Sequence, residues 1–148
     1  MENFLADHGL PALFLLSFLA STVIPLGSEW LVVTLILKSY QPEYVVAVAT
    51  AGNYLGACTT YFVGLWGAGF LIKKVMRIDE ASLARAQLFY RRYGSWSLLF
   101  SWLPVIGDPL CLAGGALRIN FILFSLLVFA GKLARYAVIA AVTASAMR

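Results

Sequence analysis

Two acids and two bases lie inside long apolar stretches of this sequence, where ionised side chains are rare. Glu29 follows a proline by four residues, and Asp108 follows a second proline in the same way. Lys132 and Arg135 lie three residues apart, hence on one face of a helix. A charge at membrane depth costs several kcal/mol unless it is paired or hydrated, so such residues typically mark substrate pathways and proton relays. We therefore predict that these four residues form a substrate and proton site, with each base paired to an acid.

Plainer interpretations of the same residues stay open. Either acid could lie in a loop among lipid headgroups, and an acid–base pair could serve only to fix helix packing. Asn53 is a fifth candidate, since it lies between Gly52 and Gly56 in an apolar run. Small residues let helices approach closely, so Asn53 either bonds a neighbouring helix or belongs to the site. A desolvated cluster that binds and releases a proton would combine the structural and functional roles.

The sequence contains no pattern typical of an enzyme. It has no nucleophile–base pair, no phosphate-binding glycine loop and no cluster of metal ligands. Cys58 and Cys111 lie in apolar stretches without a neighbouring His or Cys at metal spacing, which favours a packing role. We expect no catalytic residues, no cofactor and no metal site.

The composition predicts a membrane protein. The 148 residues are 61% hydrophobic and 12% charged, with a mean hydropathy of +0.85. A soluble domain carries about a quarter charged residues, because its surface must face water. The continuous apolar runs favour helices, so we predict an all-α, polytopic (multi-pass) membrane protein.

Most of the positive charge lies in one stretch between the apolar runs, and the net charge of the chain is +4. The basic residues of this stretch are Lys73, Lys74, Arg77, Arg85, Arg91 and Arg92. A basic loop flanked by membrane segments is an orientation signal that places the loop in the cytoplasm. We predict a cytoplasmic linker over about residues 70–93 that forms a helix on the membrane surface, with Asp79 as the helix cap. This placement disfavours a nucleic-acid or calmodulin partner.

Two apolar stretches are broken by proline and glycine. The first runs from about Leu10 to Leu37, and the second from Ser95 to Leu117. The predicted tips contain Pro25, Gly27, Pro104, Gly107 and Pro109. The arms of the first stretch, 11–23 and 30–38, would be roughly 20 and 14 Å long as helices, shorter than a hydrocarbon core of about 30 Å. Each stretch is therefore a broken span or a re-entrant hairpin, and the short arms favour the hairpin.

The two halves of the chain align at a constant offset of 79 residues. This offset places Pro25 on Pro104, Glu29 on Asp108, and Asn53 on Lys132. We predict one domain over 1–148, with repeat 1 at about 10–67 and repeat 2 at about 94–146. With re-entrant hairpins each half crosses the membrane once, in opposite senses, and both termini are periplasmic. With spanning segments there are four crossings and cytoplasmic termini.

Several strings in the sequence resemble the DedA family, the SNARE-associated or VTT-domain membrane proteins, and specifically its short YqaA-type branch. They are Pro25–Glu29, Gly52–Gly56, Tyr61–Gly64, Ser101–Asp108 and Gly131–Tyr136. The resemblance covers nearly the whole chain. It implies an inner-membrane protein with two facing re-entrant hairpins, and it places Glu29 at a position important in relatives.

The resemblance also implies movement of an anionic lipid between leaflets, a polyisoprenyl-phosphate carrier or a phospholipid, linked to the proton gradient. Partners would then be membrane lipids and protons, without nucleic acid, and a homo-oligomer is compatible with this. Many relatives carry Asp and Arg where this chain has Ala57 and Leu65, and arginines where it has Ser101 and Gly107.

Because those arginines would bind phosphate, we expect Lys132 and Arg135 to supply the charge here. The alternatives are a small-ion or proton antiporter and a non-transporting membrane scaffold or assembly factor.

Overall fold

The computed structural model describes residues 2–22, 27–67, 79–103 and 106–148, and every regular element in them is helical. This confirms the all-α class for the described part of the chain. The elements are α1 (Glu2–Ala20), α2 (Glu29–Leu37), α3 (Pro42–Trp66), α4 (Glu80–Tyr93), a 3₁₀ segment (Gly94–Trp102), α5 (Gly107–Ala116) and α6 (Phe121–Ala146).

Among the described helices, α6 is long and apolar enough to cross a bilayer. The 25 residues of α3 would extend about 37 Å at 1.5 Å per residue, a sufficient length. However, its glycines, threonines and Asn53 lower its hydropathy, so length and hydropathy coincide in α6 alone among these helices. A second crossing by α3 therefore stays a prediction.

Both broken stretches turn back on themselves. Gly9 in α1 lies against Leu35, near the far end of α2, so α1 and α2 are antiparallel. In the second stretch, Gly114 of α5 lies against Leu98 of the 3₁₀ segment, while Gly107 contacts Ser101. These contacts make α5 antiparallel to the 3₁₀ segment, and each stretch is a hairpin in its described arms.

The tip residues are only partly described. Pro25 and Pro104 lie outside the described residues. Gly27 directly precedes the hydrogen-bonded start of α2, and Gly107 begins α5. Pro109, predicted at the tip, instead lies buried in the first turn of α5, where a missing backbone donor does no harm.

The long helices of the two halves run in opposite directions. In the first half, α1 runs parallel to α3, since Gly52 meets Phe14 and Gly56 meets Phe18. The 3₁₀ segment runs parallel to α6 in the same way, with Leu99 against Gly131 and the Trp102 carbonyl bonded to Arg135. The helices α3 and α6 are antiparallel, as the hydrogen bonds Tyr54–Ser125 and Tyr61–Ile119 require.

Local backbone features recur at a spacing of 79 residues. After α2, Ser39 has a φ of 68° and the Tyr40 amide donates to Leu35, at 3.1 Å. After α5, Arg118 has a φ of 54° and the Ile119 amide donates to Gly114, at 3.0 Å. Both are Schellman helix ends with a left-handed residue where glycine is usual. The flanking bounds match too, since α2 ends at 37 and α5 at 116, and α3 begins at 42 and α6 at 121.

The linker helix is partly described as α4, while residues 68–78, with Lys73, Lys74 and Arg77, lie outside the described residues. Asp79 caps α4 as predicted, accepting a hydrogen bond from the Ser82 amide at 3.1 Å. Hydrogen bonding with the Ser82 side chain, and then with the Ser82 amide, holds the pKa of the Asp79 carboxyl below its usual value. Ala86 is buried against α5 with Phe89 and Tyr90 on the same face, whereas Leu88 is 61% exposed.

The helices α3 and α5 approach each other closely at two glycines. A Cβ atom at Gly115 would overlap the carbonyl oxygen of Tyr61, and one at Gly64 would overlap that of Leu112. Small residues at both positions thus let the two backbones touch.

Replacing Gly115 by alanine is expected to destabilise the fold by about 1–3 kcal/mol, because the methyl group forces two backbones apart. The thermal midpoint of the detergent-solubilised protein measures this. Ala130→Val adds bulk at an exposed position of α6 and serves as the control. An equal midpoint for Gly115→Ala and wild type would contradict the close crossing.

Candidate functional site

The five predicted site residues line one small cavity. Its lining comprises Ala20, Gly27, Ser28, Glu29, Asn53, Ser101, Leu103, Asp108, Lys132, Arg135 and Tyr136. The cavity has a volume of about 30 Å³. One water requires about 10–15 Å³ by this measure, so the cavity holds about two or three waters and no larger ligand as it stands. Asn53 and Lys132 are each the twelfth residue of their helix, so the cavity lies at mid-length of α3 and α6.

Lys132 is buried, with 3% of its surface exposed. Its Nζ donates to Asn53 Oδ1 and, at 3.4 Å, to Ser21 Oγ. The prediction of an acid as the direct partner of Lys132 is therefore wrong, since its hydrogen-bond partners are an amide and a hydroxyl. An ammonium carries three donors, and the third is left for a water or ligand in the cavity.

Asn53 holds three helices together. Its Nδ2 donates to the Ser17 carbonyl of α1 at 3.1 Å, while its Oδ1 accepts from Lys132 of α6. The expectation that Asn53 bonds neighbouring helices is thus confirmed. Asn53 also lines the cavity, so both interpretations of this residue apply to its position.

Glu29 forms an ion pair with Arg135, as the sequence predicted for an acid and a base of this set. The side chains are 29% and 18% exposed, respectively, so the pair lies at an edge of the cavity. Glu29 is in the first turn of α2, where the helix dipole favours a carboxylate. Arg135 Nη1 also donates to the Trp102 carbonyl at 2.9 Å, which ties α6 to the 3₁₀ segment.

Asp108 occupies the equivalent place at the start of α5, in the first turn of that helix. Its Oδ1 accepts a hydrogen bond from Ser21 Oγ at 3.1 Å. Since Ser21 also accepts from Lys132, one hydroxyl connects the acid to the ammonium. The second predicted acid–base association is therefore indirect.

The four ionisable groups have balanced charges. With Glu29, Asp108, Lys132 and Arg135 all ionised, their sum is zero. A proton on either acid would leave a net positive charge around this partly buried cavity. Because a low dielectric strengthens such a charge, the protonated site would attract an anion.

Four further polar residues of the site were not singled out from the sequence. Ser28 and Tyr136 share a buried hydrogen bond of 2.5 Å, and Ser21 bridges as above. Ser101 is 2% exposed, and its hydroxyl has no partner within the described structure. Ser28 and Tyr136 directly adjoin Glu29 and Arg135, which was a usable signal, whereas nothing in the local sequence distinguishes Ser21.

The remaining features singled out from the sequence are the tip glycines, the two cysteines and the metal-ligating residue types. Gly27 lines the cavity, and a Cβ atom at Gly107 would overlap the Ser101 carbonyl. Cys58 and Cys111 are buried free thiols in the core. Within residues 2–22, 27–67, 79–103 and 106–148, no group of three metal-ligating side chains comes together.

Replacing Asn53 by leucine would leave the Lys132 ammonium buried without its amide partner, which we expect to cost about 3–5 kcal/mol of folding stability. The double variant Asn53→Leu, Lys132→Met should regain most of this, because it removes the charge as well. Thermal unfolding in detergent measures both variants.

The control is Thr59→Leu, at an exposed position of the same helix. A double variant as unstable as Asn53→Leu alone would show that the buried charge is not the source of the cost.

Comparison with known proteins gives relatives over nearly the full length. A Haemophilus influenzae protein, named as uncharacterized, is 39% identical over 142 residues, covering 90% of this chain and 87% of its own. The inner membrane protein YqaA of Escherichia coli is 38% identical over 139 residues, covering 92% of each chain, and that of Shigella flexneri matches equally. No family model and no solved structure matches.

Proposed function

The chain belongs to the DedA family, in its YqaA-type branch, and from that premise we propose that this inner membrane protein moves an anionic lipid between leaflets in a proton-linked cycle. The lipid would be a phospholipid or a polyisoprenyl-phosphate carrier. The observation that carries the proposal is the cavity at mid-length of α3 and α6, around which two acids and two bases converge.

The site chemistry suits a phosphate headgroup. Arg135 offers a guanidinium, Lys132 an ammonium with a donor to spare, and Ser101 an unpartnered hydroxyl. Charge-assisted hydrogen bonds of this kind are the strong ones for phosphate oxygens. The acyl chains would stay in the bilayer while the headgroup crosses through the polar site.

Protonation supplies the coupling. In the charge-balanced state, the Glu29 carboxylate is paired with the Arg135 guanidinium and competes with any other anion for it. Protonation of Glu29 weakens the ion pair and frees the guanidinium for the headgroup, while protonation of Asp108 adds a positive charge at the same place. Release of the proton restores the ion pair and expels the anion. Binding of a proton therefore raises the affinity of the site for an anionic headgroup, and binding of the headgroup raises its affinity for the proton.

The cavity of about 30 Å³ represents a closed state of this cycle. Ligand pockets commonly have volumes of about 300–1,000 Å³, so the site must open to admit a headgroup. The Glu29–Arg135 pair joins α2 to α6 and Ser21–Asp108 joins α1 to α5. Both contacts involve the first hairpin, and Ser21–Asp108 also joins it to the second, so opening of the first hairpin would break both contacts.

An inverted repeat would allow the site to open alternately toward either side of the membrane. Recurrent helix ends at a spacing of 79, and the opposite directions of α3 and α6, support a pseudo-twofold relation between the halves. The contact between Asn53 and Lys132 has the same separation of 79, as expected where equivalent residues meet near a twofold axis. Inverted repeats with broken helices meeting at mid-membrane are a recurring transporter design.

Glu29→Gln and Asp108→Asn are each expected to slow leaflet-to-leaflet movement of a labelled phosphatidylglycerol by about tenfold or more, the worth of one charge-assisted hydrogen bond. The purified variants are reconstituted in vesicles, and an outer-leaflet quencher follows the lipid with and without a pH gradient. Glu43→Gln, an exposed acid in the first turn of α3, is the matched control.

Two outcomes would contradict lipid transport. If the acid variants changed only pH-driven ion flux, the site would be that of a small-ion or proton antiporter. If transport were unchanged while the thermal midpoint fell, the ion pairs would serve a scaffold or assembly factor.

The re-entrant hairpins predict a periplasmic C-terminus. Alkaline phosphatase fused after Arg148, which is active only in the periplasm, should therefore be active, and a fluorescent protein that requires the cytoplasm should stay dark in the same place. The reverse pattern would show that the broken stretches span the membrane.

A further inference from the structure

A second and larger cavity lies on the outer side of α6. It is an apolar groove of about 590 Å³, lined by Trp102, Gly131, Ala134, Arg135, Val138 and Ile139. Trp102 is 42% and Val138 62% exposed, so the groove opens at the surface of the molecule. Its α6 residues lie in the middle of the helix that is long and apolar enough to cross a bilayer.

The groove and the polar cavity share one residue. Arg135 lines both and, through its bonds to Glu29 and the Trp102 carbonyl, stands between them. The other lining side chains of the groove are aliphatic or aromatic, or absent at Gly131. The groove is thus apolar along its length with one guanidinium, an arrangement complementary to a chain ending in an anionic headgroup.

From this juxtaposition we infer that the groove holds one acyl chain of an anionic phospholipid, placed so that the phosphate reaches Arg135; this inference rests on the proposed function. An apolar space at hydrocarbon depth stays dry, and lipid chains are what surround it there. The groove has about twenty times the volume of the polar cavity, so it is large enough for a fatty acyl chain.

The chain in the groove would also explain how a headgroup finds a closed cavity. With the phosphate at Arg135, protonation of Glu29 transfers the guanidinium from carboxylate to phosphate without moving the lipid. The headgroup then needs only to pass Arg135 to enter the polar site. The groove would thus bind the lipid before its headgroup enters the polar cavity.

Fluorescence quenching of Trp102 tests the inference. The variant Trp30→Phe, Trp66→Phe, Trp96→Phe keeps Trp102 as its only tryptophan. It is reconstituted in phosphatidylcholine vesicles containing either phosphatidylglycerol or phosphatidylcholine with brominated acyl chains. We expect quenching to show a preference of about tenfold for the anionic lipid, as one charge-assisted hydrogen bond from Arg135 provides.

Filling the groove is expected to abolish this preference. Ala134→Phe, at an exposed position of the groove wall, adds a ring without entering the core. Ala137→Phe makes the same change at an exposed alanine outside the groove and should retain the preference. Each variant is compared with its own unbrominated sample, which corrects for the effect of the new ring on Trp102.

Equal quenching by both lipids, or quenching unaffected by Ala134→Phe, would overturn the inference. Quenching that appears only when the protein is diluted in lipid would also overturn it, since a second copy of the chain would then cover the groove. Lipid movement measured in the same vesicles separates the two proposals. Selective quenching without lipid movement would support lipid binding in the groove and refute lipid transport. Lipid movement without selective quenching would support transport and refute lipid binding in the groove.

Discussion

The buried ammonium of Lys132 is the constraint on which the arrangement of the helices depends. It lies at mid-length of α6 with 3% of its surface exposed, too far from either helix end to reach water. A charge in that position is tolerated only with polar partners supplied by neighbouring helices. Asn53 of α3 and Ser21 at the end of α1 supply these partners. The Lys132 ammonium therefore fixes both where α3 crosses α6 and where α1 ends relative to them.

Close packing makes these polar contacts attainable. Gly52 and Gly56 let α1 lie against α3, and Gly131 lets the 3₁₀ segment lie against α6. The hairpin ends are thereby brought to mid-length of the long helices, where Glu29 and Asp108 begin α2 and α5. Each carboxylate lies at the N-terminal end of a short helix, which compensates part of its charge. Packing and electrostatics therefore require the same geometry.

The two acids differ in their surroundings although their positions correspond. Glu29 pairs directly with Arg135 near the surface of the cavity, whereas Asp108 reaches Lys132 only through Ser21. The position equivalent to Arg135 in the first half is Gly56, which has no side chain to pair with Asp108. Arg135 and the apolar groove beside it therefore belong to the second half of the chain, with no equivalent base in the first half at position 56.

Much of this protein follows from its sequence alone. Composition and hydropathy determine the solvent and hence the all-α class, because a chain so poor in charge must satisfy its backbone within helices. Prolines and acids that recur at a spacing of 79 locate both breaks, and all five predicted site residues line one cavity. The cap of α4 was also predicted, because the Asp79 side chain acts within one helical turn.

The partners of the buried charges were decided only by the tertiary structure. Sequence reasoning assigned an acid to Lys132, yet its contacts are Asn53 and Ser21, which are 79 and 111 residues away along the chain. The groove beside Arg135 likewise has no local signature in the sequence. Helix periodicity specifies which residues share a face. Which faces meet, and at what height, depends on crossing angles and close contacts between distant segments, and these exist only in the packed molecule.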